Sequence, residues 1–154
     1  MDSYVVLDCA QLFQFYGEFL VAKYCDLLNE TIKIDVLLRL MRSVGHMFET
    51  PLNSIQLQLF EPFILKAMDL ALNPEVYPMI MAMCLSMLAK PVLQDSAYFL
   101  KIVEKCAAMR SSGPEASLGD LLDSWIDKID MIVHPERRKL TALSLLSIFR
   151  YNSK

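Results

Sequence analysis

Glycine and proline are scarce in this chain. Its 154 residues include only four Gly and seven Pro, together about 7% against an average near 12%. Loop-rich and all-β architectures, which consume both residues in turns, are therefore disfavoured. Histidine is scarcer still, with two residues, and the net charge is small: 15 basic residues against 18 acidic leave a formal charge of −3. A nucleic-acid binder normally shows a basic face, and none is written here. A hydrophobic run long enough for a membrane span is also missing. The most apolar stretch, residues 76–89, has fourteen residues, and a span needs about 20. What the chain does have is apolar content, 55% of residues with a mean hydropathy of +0.34. That excludes collagenous, low-complexity and disordered classes, and it demands an account of where the apolar surface goes.

The first twenty residues carry Asp2, Asp8 and Glu18 and no Lys or Arg, so they lack the basic start of a signal peptide. A soluble, intracellular chain is expected. Cys9, Cys25, Cys84 and Cys106 lie 16, 59 and 22 positions apart, with no Cys-x-x-Cys pair. Each falls in an apolar helical pattern, where a free thiol behaves as a small hydrophobe. Reduced core thiols are expected rather than a disulfide frame.

Almost every segment shows the helical period and none alternates like a strand. Residues 4–30 carry Leu12, Phe13, Tyr16, Phe19, Leu20, Tyr24, Leu27 and Leu28, one long helix or two short ones with Gly17 as the break. Residues 31–48 repeat the pattern. Thr50-Pro51 opens a helix to about Leu72, which Pro62 is expected to bend or divide. Asn73-Pro74-Glu75 signals a start for the next, running to about Val92. Asp95 caps a helix through Met109, Ser111-Ser112-Gly113-Pro114 reads as loop, and a further helix spans 117–132. His134-Pro135-Glu136 opens the last, ending near Phe149. The chain thus reads as all-α, with seven or eight helices pairing into units that begin near positions 16, 52, 95 and 135. That spacing approaches the ~40–47 residues of HEAT and armadillo units. Residues 1–154 are expected to form a single α-solenoid segment of about four HEAT-like helix pairs, part of something longer. A compact helical bundle is the alternative.

Catalytic constellations are nearly absent. His46 and His134 lie in different helix pairs, away from any Cys or carboxylate cluster at metal-ligand spacing. Both suit helix ends. Gly17, Gly45, Gly113 and Gly119 form no phosphate-cradling loop, and no Gly-x-Ser-x-Gly elbow occurs. Neither catalytic residues, nor a metal site, nor a cofactor is expected. Met79, Met81, Met83 and Met87 crowd one helix that is apolar nearly all round, which reads as core packing between neighbours.

The sharpest local pattern follows the Ser-Gly-Pro loop. Asp120, Asp123, Asp127 and Asp130 are spaced 3, 4 and 3, so at about 100° per residue they share one stripe. Leu118, Leu121, Leu122, Trp125, Ile126 and Ile129 take the other side. The next helix begins Pro135-Glu136-Arg137-Arg138-Lys139, three cations that oppose the helix dipole. Two readings stand. In one, the helices form an antiparallel hairpin in which Asp127 or Asp130 faces Arg137 or Arg138. In the other, the acids form a ridge that receives a basic partner segment.

The block Leu121-Leu122-Asp123-Ser124-Trp125-Ile126-Asp127-Lys128-Ile129-Asp130, followed by His134-Pro135-Glu136-Arg137-Arg138-Lys139-Leu140-Thr141-Ala142-Leu143, resembles a late HEAT repeat of the importin-β (karyopherin-β) family, in particular a C-terminal segment of its importin-eleven branch. The resemblance is strongest over residues 117–149. It implies a right-handed stack of helical hairpins in a nuclear transport receptor that shuttles between nucleus and cytoplasm. Such receptors carry cargo proteins, bind phenylalanine-glycine nucleoporins between outer helices and release cargo on meeting Ran-GTP. The family's principal Ran-binding repeats lie toward the N-terminus and match no part of this chain, so Ran-GTP and nucleoporins are expected partners of an intact receptor only. Neither nucleic acid nor membrane insertion is expected. A helical scaffold or adaptor working outside transport is the competing reading.

Overall fold

A computed structural model describes residues 16–23, 25–26 and 54–152. The chain divides into two compact units, residues 1–66 and 67–154. Among the described residues every regular element is helical and no strand occurs. We label the five long helices α1 (Ser54–Ala71), α2 (Pro78–Gln94), α3 (Ser96–Met109), α4 (Pro114–Lys128) and α5 (Pro135–Asn152), with a 3-10 turn at Ile129–Met131 between α4 and α5.

In the first unit, residues 16–23 are helical. Gly17 lies within that run and does not interrupt it; the helical patterns of residues 1–15 and 31–48, with Cys9, Gly45 and His46, fall outside the described residues. Val21 is buried, as are Leu57, Phe60, Phe63 and Ile64 on α1. Their steps of three and four produce one apolar stripe. Pro62 sits inside α1 without dividing it. It is exposed, so the carbonyl that loses its usual partner can be satisfied by water.

The second unit centres on α2. Ala82, Cys84, Leu85, Ser86, Met87, Leu88, Ala89, Pro91 and Val92 are all buried, as a helix that is apolar all round requires. Of its methionines, Met87 is buried, Met81 and Met83 are half-buried and Met79 is exposed. The core reading thus holds for the second half of the helix more fully than for its entry. The expected start at Asn73-Pro74-Glu75 shifts to Pro78. The Asn73 side chain accepts from the Glu75 amide at 3.0 Å, making a local Asx turn instead of a helix cap. Tyr77, preceding a proline, is held extended at φ −58°, ψ 131°, and Pro78 then takes the first helical position.

Asp95 caps α3 as its position predicts, its carboxylate accepting from the Tyr98 amide at 2.9 Å. At the other end the Ser112 amide bonds to the Ala107 carbonyl and the Ser111 amide to that of Ala108. This is a Schellman closure, with Ser111 in the left-handed conformation at φ 54°. The loop is shorter than the sequence suggests. Pro114 opens α4, with extended Gly113 before it, because proline's fixed φ suits a first helical position.

Helix α2 packs most extensively on α5, and α3 on α4. Small side chains produce the first of these contacts. Thr141 and Ser144 of α5 are fully buried, and the Ser144 hydroxyl lies 2.8 Å from the Ala89 carbonyl and 2.7 Å from that of Leu140. Ser96 donates to the Val92 carbonyl at 2.8 Å and lies 2.9 Å from the Ser147 hydroxyl. These polar groups would destabilise an apolar seam if unpaired; backbone carbonyls accept from Ser96 and Ser144, and Ser147 pairs with the Ser96 hydroxyl. The exception is the Thr141 hydroxyl, which has no hydrogen-bond partner among the described residues.

Candidate protein-interaction surface

Helix α4 is oriented by what it buries. Ser117, Leu121 and Trp125, each four residues after the last, are its buried positions. Trp125 is fully enclosed, which fixes the rotation of the helix. Ser124 beside it donates to the Ala71 carbonyl at 3.1 Å, satisfying a C-terminal group of α1. With that side inward, Asp120, Asp123 and Asp127 of α4 and Asp130 of the 3-10 turn are all exposed. Ile126, which the pattern places on the inner side, is instead 52% exposed. Leu118, Leu122 and Ile129 are half-buried. The apolar stripe is thus narrower than the sequence suggests: α3 and α2, which pack on α4, enclose the Leu121–Trp125 line and cover its flanks only in part. Met131 and Val133 are exposed just beyond the acids.

No ion pair joins Asp120, Asp123, Asp127 or Asp130 to a cation among the described residues. Nor do α4 and α5 run together as a tight hairpin; each instead meets the turn between them, and α5 rests on α2. Arg138 turns to the backbone. Its Nε donates to the Ile132 carbonyl at 3.1 Å and one Nη to the Asp130 carbonyl at 3.2 Å. A guanidinium there neutralises the partial negative charge at a helix C-terminal end. It also explains how one cation is accommodated in the first turn of α5. Arg137 is half-buried, and Lys139 is exposed. His134 precedes α5 as a helix-entry residue, its carbonyl accepting from the Arg138 amide at 3.0 Å.

A second arginine was not legible beforehand. Arg110, at the end of α3, reaches Asp69 at 2.8 Å and the Leu72 carbonyl at 3.2 Å. The contact joins residues 41 positions apart, which no local pattern reveals. In the first unit, an open groove of about 400 Å³ is lined by Val21, Ala22, Cys25, Leu59 and Pro62, with Glu18 and Asp26 also on its wall. Lys23 pairs with Asp26 at 3.4 Å across one helical turn.

The described cysteines are free thiols. Burial pushes Cys84 up to about 12. Burial also raises Cys106, helped by Asp69 and opposed by Arg110, and raises Cys25, helped by Asp26 and opposed by Lys66. None is an activated nucleophile, since the thiolate is the reactive form. Among the described residues no group of His, Cys, Asp and Glu could hold a metal ion, and no helix is long and apolar enough to cross a membrane.

Comparison with known proteins places these features in a family. A family model described as "Importin-11-like, TPR repeats" matches residues 1–154. Human Importin-11 (Homo sapiens) is 28% identical over 149 residues, covering 96% of this chain and 15% of the relative. The mouse protein (Mus musculus) is 25% identical over the same length and coverage. This chain therefore spans about 15% of the length of the curated relatives it matches. No solved structure matches it. The family's repeats carry the TPR label where the spacing suggested HEAT. Both are helix-pair units, and the steps from Ser54 to Ser96, Pro78 to Pro114 and Ser96 to Pro135 are roughly 36 to 42 residues, between the ~34 of TPR and the upper end of HEAT. All-helical, repeated at this interval and matched along its whole length, the chain belongs to the importin-11-like branch of the importin-β family of helical-repeat solenoid proteins.

Proposed function

We propose that this chain is a segment of a nuclear transport receptor that binds protein cargo for import, by shape and charge and without catalysis. The observation that carries this reading is the family match over all 154 residues. The receptor class follows from membership; cargo binding by this segment is our inference. The contact we favour is the exposed ridge of Asp120, Asp123, Asp127 and Asp130, whose carboxylates make no ion pair among the described residues and which lies beside exposed Ile126. A basic cargo segment would find there both charge complementarity and some apolar area, and the field would speed encounter. Arg137 and Arg138, at the adjoining helix entry, limit how far that negative ridge extends. Ran-GTP and nucleoporins are partners of the intact receptor, which shuttles between nucleus and cytoplasm; neither a cofactor nor a nucleic acid takes part.

The test uses the full-length gene product. It is expected to be captured by GTP-loaded Ran and by nucleoporin repeats, and cargo is expected to be released by GTP-loaded Ran. Binding to neither would sink the transport assignment, and Ran-insensitive cargo binding would favour a helical adaptor working outside transport. For the ridge, Asp123→Asn combined with Asp127→Asn is expected to weaken cargo binding about tenfold and flatten its salt dependence. Unchanged binding would remove the ridge from the interface.

A further inference from the structure

We draw no further inference here: the strongest candidate, the exposed apolar face of α5 formed by Leu143, Leu146 and Phe149, carries nothing because nothing in the structure shows what covers it.

Discussion

Ser111 is the one non-glycine described residue held at positive φ, and it is exposed. Left-handed backbone costs an ordinary L-residue roughly 1–2 kcal/mol that glycine does not incur. Ser111→Gly is therefore expected to stabilise the fold by about 1 kcal/mol, less whatever glycine adds to unfolded-chain entropy. A urea midpoint that stays put or falls would show that the Schellman closure carries no strain. Cys84 makes a separate prediction about pH. Its thiol sits at about 12 when folded against 9.0 ordinarily. Below pH 9 both states hold the proton and the group is silent. Between 9 and about 12 the unfolded chain loses the proton first, so stability falls as pH rises, by at most about 1.4 kcal/mol per pH unit. Replacing Cys84 by Ala is expected to flatten that alkaline decline, although it lowers stability at neutral pH through the small cavity it leaves. An unchanged slope above pH 9 would mean that Cys84 is more accessible than its burial indicates.

At the scale of elements, the α2–α5 seam shows how small side chains govern packing. Ala89 is fully buried and its carbonyl receives the Ser144 hydroxyl. Enlarging that position separates the helices. Ala89→Leu is expected to destabilise by about 1–3 kcal/mol, read by denaturant unfolding, whereas Leu146→Gln on the exposed side of α5 is expected to change stability by less than about 0.5 kcal/mol. Equal effects of the two would contradict the observed rotation of α5. That rotation is unusual. α5 buries Thr141 and Ser144 with Leu145 and Ile148 while leaving Leu143, Leu146 and Phe149 exposed, so hydrophobic periodicity alone does not reveal which face is inward. The Arg110–Asp69 pair is partly exposed, at 33% and 39%, and solvent screening limits it to roughly 0–1 kcal/mol. Its main contribution is to place a cation at the end of α1, where the Leu72 carbonyl accepts.

Among the described residues, much of the apolar content is absorbed by helix-to-helix contact, above all along the second half of α2, where Cys84 to Ala89, Pro91 and Val92 are buried. The acidic ridge contributes little to that framework. Asp123 and Asp127 are exposed and without ion pairs among the described residues, so the double Asn variant is expected to melt within about 2 °C of the unmodified chain. A larger loss would restore the alternative in which these acids stitch α4 to α5. The positions of the acids were legible because helical spacing alone gathers residues 120, 123 and 127 on one stripe. Their lack of ion-pair partners among the described residues was not legible. Pairing depends on where α5 lies, and its seat on α2 follows from the small residues Ala89 and Ser144, distant in sequence.

Composition and spacing were sufficient to specify an all-helical chain, the Asp95 cap, the entry at Pro135 and the Trp-centred helix that carries the family resemblance. These features arise from local physics: the 3.6-residue period, proline's fixed φ and the capping of free amides act within a few residues. Tertiary structure decided what lies far apart along the chain. It seated α5 on α2, joined Arg110 to Asp69 and Leu72, turned Arg138 to backbone carbonyls and left Ile126 in solvent. Each outcome depends on which surfaces meet, and that choice minimises the free energy of burial over the whole unit instead of any one helix.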